Sequence, residues 1–76
     1  NDMKTYDPGE AVAIVSRLHK FISDNDGLYT IKDVARSTGI KEDTLYQWLN
    51  VGRKPQARML AYLQELEKYL NRKEAK

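Results

Sequence analysis

Apolar side chains recur at helical spacing along most of the 76-residue chain, and this pattern predicts two long helices and two short ones. The first long helix is expected from Pro8 to about Ser23, after Asp7, which suits an N-cap. Its inward stripe is predicted to be Ala11, Val15, Leu18, Phe21 and Ile22, with Val12 and Ile14 at the flanks. The last helix is expected from about Gln56 to Asn71 or beyond, so the two long helices would clamp a shorter pair.

Residues 30–50 predict that shorter pair, joined by a tight turn at Gly39. Thr30 suits the N-cap of the first short helix, and Asp33 is placed to complete a capping box. Leu28 is expected to act as a hydrophobic staple before this cap. Because glycine tolerates positive φ, Gly39 is expected to end the helix.

The second short helix is predicted to be two-faced. Its apolar side, together with the preceding short helix, is expected to build a shared core: Val34, Ala35, Ile40, Leu45, Trp48 and Leu49. Its other side carries hydrogen-bonding groups: Glu42, Asp43, Tyr46, Gln47 and Asn50. Such a polar face on the second helix of a pair is typical of a helix that lies in a DNA major groove.

The run VARSTGIKEDTLYQWL, residues 34–49, resembles the helix-turn-helix signature of prokaryotic DNA-binding proteins. In this resemblance small Ala35 stands where the helices cross, and Gly39 stands in the turn. Residues 48–55 resemble the phage-repressor and Cro type, while the opening TIKDVA resembles the Lac-repressor and mercury-regulator types. The resemblance implies an all-α, compact domain of four to five helices with a central helix-turn-helix, lambda-repressor-like in fold.

A recognition helix of this type implies two sets of DNA contacts. Base readout is expected from Glu42, Asp43, Tyr46 and Gln47. Phosphate contacts are expected from Lys41, Arg53, Lys54 and Arg58. The net charge is only +2, but residues 51–76 hold seven Lys or Arg against three Glu, so positive charge begins where this helix ends. Lys41 stands where related helices carry Ser or Thr, so no side-chain cap is expected there.

The apolar seam of the last helix leaves two interpretations open. It can pack on the first helix within one subunit, or its end can form a weak dimer contact through Leu66, Tyr69 and Leu70. A dimer is attractive because two-fold symmetry doubles the DNA site. The expected partners are therefore double-stranded DNA, a second copy as homodimer, and a C-terminal effector domain missing from this chain.

Composition narrows the remaining possibilities. The chain has no cysteine and a single histidine, His19, which lies off the apolar stripe, so no metal site, cofactor or enzymatic activity is expected. No apolar run approaches the roughly 18 residues of a membrane span, and a cytoplasmic location is the default expectation. Residues 1–6 are interpreted as a disordered start with a cloning remnant, 7–71 as the DNA-binding domain, and 72–76 as a charged tail or truncated linker.

The expected function is sequence-specific binding of double-stranded DNA by a transcriptional regulator, a repressor of phage or bacterial type. The alternative is a helix-turn-helix reused for protein–protein interaction or as a recombination accessory. In that case the carboxylates Glu42 and Asp43 would lie on the partner surface.

Overall fold

The computed structural model describes residues 3–25 and 27–74. They form four α-helices: α1 Pro8–Asp24, α2 Ile31–Thr38, α3 Glu42–Tyr46 and α4 Leu60–Glu74. A π-helical turn, Gln47–Val51, continues α3, and a 3-10 turn, Ala57–Met59, leads into α4. No strand occurs in the described part, which confirms the expected all-helical class. Expectations for residues 1, 2, 75 and 76 lie outside the described residues.

Helix α1 starts as expected. The Asp7 carboxylate accepts hydrogen bonds from the Gly9 and Glu10 amides at 2.8 and 3.4 Å, and Pro8 takes the first helical position. The predicted stripe needs a correction, however. Ile14 is buried while Val15 is only half-buried, because the face turned toward α4 is centred nearer Ile14.

Helix α2 has the predicted capping box and the predicted glycine end. The Thr30 hydroxyl accepts from the Asp33 amide, and the Asp33 carboxylate accepts from the Thr30 amide. Gly39 has φ 81° and donates its amide to the α2 backbone. The expected staple is wrong: Leu28 is 71% exposed. Tyr29, the residue directly before the cap, packs on the Phe21 ring instead, at 5.0 Å between centroids.

Helix α4 contacts both α1 and α2 and closes the core. Its inward residues are almost fully buried: Leu63, Leu66, Tyr69 and Leu70. Of the two interpretations left open by the sequence, packing within one subunit is therefore the one observed, and the alternative of a dimer contact through Leu66, Tyr69 and Leu70 is not, because these side chains are covered within one chain. On the other side of the core, Val34, Ile40, Leu45 and Trp48 are buried as predicted, while Ala35 and Leu49 are half-buried.

Both ends of the described chain are built into the fold. Met3 is buried at 2% exposure, so the prediction that residues 1–6 are disordered is wrong for residues 3–6. An apolar side chain and two backbone hydrogen bonds to α4 hold it there. At the other end α4 continues through Glu74, which accepts from Arg17 at 2.6 Å. Residues 72–74 are therefore part of α4 rather than a separate tail.

Candidate functional site

Helix α3 is fixed from its inner side. Ile40, Leu45 and Trp48 are buried beneath it, and α3 contacts α2 while the π-helical turn contacts α1. Lys41 occupies the N-cap with extended backbone geometry and makes no side-chain capping bond, as expected. Helix α3 therefore gains its position from packing beneath it.

The outer side of this helix carries the residues predicted for base readout. Glu42 and Asp43 are exposed in the first turn, where negative charge suits the positive end of the helix dipole. Tyr46 is 53% exposed, and Gln47 is half-buried. The Gln47 amide approaches the Asp43 carboxylate at 3.5 Å, a long contact typical of neighbours at i and i+4. Three of the four predicted side chains are thus open to solvent, and the fourth is partly so.

The π-helical turn ends at Gly52 and reverses the chain. Gly52 has φ 89°, a left-handed conformation that side chains disfavour. Its amide and that of Arg53 both donate to the Gln47 carbonyl, at 2.9 and 3.1 Å. These two bonds tie the start of the following loop, residues 52–56, to the end of α3. We refer to residues 52–56 as the cationic loop because they include Arg53 and Lys54.

A cleft of about 270 Å³ lies between α3 and the cationic loop. It is lined by Thr44, Gln47, Trp48, Arg53, Lys54, Gln56, Arg58 and Met59. Three of the four cations predicted to contact phosphate therefore meet at one place, which we call the cationic cleft. The fourth, Lys41, is exposed at the other end of α3 and does not line it.

The cationic cleft has the charge of an anion site. Its lining residues include three cations and no carboxylate. The salt bridges found in the described part of the chain use other cations, Arg17, Lys20 and Lys68. Arg58 donates its Nε to the Gln56 side chain at 3.1 Å, which orients the guanidinium at the cleft edge. The arrangement suits a phosphate group, whose charge Arg and Lys neutralise.

Several residues of the cleft were not predicted. Thr44 stands three residues before Gln47, so helical spacing alone could have added it to that face. Gln56 lies two residues after Lys54, the second of the two predicted cations of the loop. Trp48 was predicted as core and is buried, yet it also forms part of the cleft wall. Helical periodicity assigns a residue to one face and so misses a side chain that borders two environments.

Elsewhere, one titratable group is clearly perturbed. Burial raises the pKa of the Tyr69 hydroxyl, and the neighbouring Tyr29 and Asp33 side chains raise it further, while Arg72 opposes the shift. That hydroxyl is buried without a hydrogen-bond partner among the described residues. Within residues 3–25 and 27–74, no three His, Cys, Asp or Glu side chains are grouped to hold a metal. None of the helices there combines the length and apolarity of a membrane span.

No family model, curated protein or solved structure matches the chain. The features of the chain that bear on its function are the exposed face of α3 and the cationic cleft beside it.

Proposed function

We propose that this chain binds double-stranded DNA sequence-specifically, most simply as a transcriptional repressor of phage or bacterial type. One observation carries the proposal: Arg53, Lys54 and Arg58 meet in a carboxylate-free cleft directly beside the exposed polar face of α3. Protein–DNA interfaces combine these two elements, since phosphate contacts position the protein and polar side chains on a helix specify the bases.

In the proposed complex, α2 and α3 act as a helix-turn-helix with Gly39 in the turn. Support comes from the contact between the two helices and the left-handed glycine that joins them. Helix α3 would enter the major groove with Glu42, Asp43, Tyr46 and Gln47 toward the bases. The cationic cleft would lie on the sugar–phosphate backbone at the groove edge, and Lys41 would meet a second phosphate at the opposite end of α3.

A second candidate, a protein–protein interaction surface, has its own support. Tyr46 and Val51 are 53% and 59% exposed on the same helical run. The carboxylates Glu42 and Asp43 lie at its start, and they would repel phosphates but suit a basic partner. The two candidates predict different responses to salt and to DNA.

The testing experiment is a titration with a random-sequence duplex, followed by Trp48 fluorescence. Trp48 is the only tryptophan in the chain and lines the cleft, so its emission reports on the site itself. With a slope of about 0.9 per phosphate contact, raising salt from about 50 to about 200 mM should weaken binding about 40-fold for three contacts and about 150-fold for four. Absence of binding at the lower salt would favour the protein-interaction candidate.

A matched pair of variants sharpens this test. Arg53→Ala should weaken binding to all duplexes and reduce the salt slope by about one unit. Lys20→Ala removes the same charge from α1, outside the cleft, and should leave the slope unchanged. Gln47→Ala should instead change which sequence is preferred. If Gln47→Ala weakens all sequences equally, the proposed orientation of α3 is wrong.

A further inference from the structure

The N-terminal segment, residues 3–6, is attached to the fold at two points. At one end, the Met3 amide donates to the Glu67 carboxylate at 2.9 Å, and the Met3 carbonyl accepts from Gln64 at 2.7 Å. The Met3 side chain is buried in the core, so this end is held by backbone bonds to α4 and by core packing. The segment therefore has a fixed anchor only three residues before Tyr6.

The other attachment point is the cationic loop. The Tyr6 hydroxyl donates to the Pro55 carbonyl at 2.6 Å, across 49 residues of sequence. Among the described residues, this is the only hydrogen bond between the loop, residues 52–56, and a distant part of the chain. The other bonds of the loop are local ones to Gln47, Arg58 and Met59.

From these contacts we propose that Tyr6 is a positioning residue for the cationic cleft, and that residues 3–6 act as a strap that ties the cationic loop to α4. The effect on DNA affinity rests on the proposed function, whereas the effect on the loop does not. Pro55 is buried directly after Lys54, so a fixed Pro55 carbonyl limits how far the Arg53 and Lys54 backbone can move.

The Tyr6 bond matters for the cleft because the cationic loop has few other restraints. Gly52 allows the chain more backbone conformations than other residues would, and Lys54 and Gln56 are exposed. Without the Tyr6 bond, the loop would be restrained mainly by its local bonds and by the packing of Pro55. An unrestrained loop must be ordered again when its cations meet a phosphate, and that ordering lowers affinity.

The test compares Tyr6→Phe with the parent chain by amide hydrogen exchange, well below the melting temperature of both. Tyr6→Phe keeps the ring and removes only the hydroxyl. The amides to follow are Gly52, Arg53 and Met59, which are hydrogen-bonded on either side of Pro55 and therefore have protection to lose. We expect exchange there to become about three- to tenfold faster, while the Gly39 amide in the other turn stays unchanged.

Tyr62→Phe is the matched control. Tyr62 is 42% exposed on α4, and its hydroxyl has no hydrogen bond among the described residues, so its removal should leave the loop amides unchanged. A merely structural role for Tyr6 would lower the melting temperature without this localised change. Equal exchange at Gly52, Arg53 and Met59 in the parent and in Tyr6→Phe would overturn the proposal.

Duplex binding then tests the functional half. Tyr6→Phe should weaken binding about two- to tenfold at fixed salt, with Tyr62→Phe at the parent value. If exchange becomes faster but affinity is unchanged, the strap does not serve the cleft and its positioning role is rejected. If the parent chain does not bind DNA, the proposed function fails, and the exchange result still decides whether Tyr6 holds the loop.

Discussion

The helices on the two sides of Gly39 are both short, with eight residues in α2 and five in α3, but they are held in place differently. Helix α2 has a capping box at its start, a left-handed glycine at its end and packing contacts with α4 and α3. Helix α3 with its π-helical turn starts at Lys41 without a side-chain cap and ends in a widened turn at Gly52. Local hydrogen bonds define α2, whereas burial of one side defines α3.

This difference suits a division of labour in the proposed complex. When packing on the inner side fixes a helix, the side chains on its outer face need not contribute to stability. On α3 the buried side is made by Leu45 and Trp48, and the residues proposed for base readout make few contacts within the chain.

Emptying the buried side of α3 should have the largest consequence. Trp48→Ala should lower the free energy of unfolding by about 3–5 kcal/mol, enough to unfold so small a domain, because it leaves a cavity beneath a helix with no capping bond. Urea or thermal unfolding measures the change. Tyr46→Ala, on the exposed side of α3, is the control and should cost under about 1 kcal/mol. A Trp48→Ala melting temperature equal to that of the parent would contradict the account of α3.

Removing the cap of α2 should have a smaller effect. Thr30→Ala should destabilise the chain by about 0.5–1 kcal/mol, at the lower end for such caps, because the Asp33 carboxylate still accepts the residue 30 amide. Chemical denaturation measures the change, and Thr5→Ala, at an exposed threonine outside the helices, is the control. A neutral Thr30→Ala would mean that α2, like α3, depends on packing alone.

The Tyr69 hydroxyl beneath α2 should oppose stability. Tyr69→Phe removes a buried group that lacks a partner and should add about 1 kcal/mol at neutral pH. Folding raises the pKa of Tyr69, so ionisation of this hydroxyl costs the folded chain no stability below about pH 10, the ordinary tyrosine value, and stability is lost as pH rises from there through the folded value.

Urea unfolding of the parent and of Tyr69→Phe at pH 7 and at several values above about pH 9 checks this prediction. The variant should lose less stability on the alkaline side. Equal loss in both proteins would show that Tyr69 does not contribute to the alkaline transition.

The smallest effect is expected at the start of α3. Lys41→Ser introduces the missing cap and should stabilise the chain by about 0.5 kcal/mol. In the proposed complex it also removes one phosphate contact, so the salt slope of duplex binding should fall by about 0.9. Thermal unfolding and a salt titration of the same variant test both. A gain in stability with an unchanged slope would exclude Lys41 from the phosphate contacts.

The parts of the fold that depend on local chemistry could be predicted from sequence. The Asp7-Pro8 start, the Thr30 capping box and the Gly39 turn each follow from residues that lie close together. Which residues are buried is harder to predict, because the sequence of α1 alone does not indicate which of its sides faces α4. For this reason the sequence pattern puts Ile14 at the flank of the stripe, although Ile14 is buried. The sequence leaves two interpretations of the end of α4 open, because a short apolar seam looks the same whether it packs within one subunit or against a second copy.

In the candidate site, too, features built from residues close in sequence could be predicted and features built from distant residues could not. Arg53, Lys54 and Arg58 are close in sequence, so their grouping was predictable, and the cleft that they share follows from the π-helical turn. The Tyr6–Pro55 bond joins residues 49 positions apart and has no sequence signal. The isolated apolar Met3, preceded by two polar residues, likewise shows no periodicity that would assign it to the core.

The length of the exposed helix limits how many base pairs one copy of the protein can contact. From Glu42 to Val51 the helical run has ten residues and spans about 15 Å. At about 3.4 Å per base pair, that length faces roughly four base pairs. A four-base-pair word recurs by chance about once every 256 base pairs, and a genome offers millions of competing sites. On the proposed function, binding to a single site in a genome therefore requires at least one further recognition element beyond this helix.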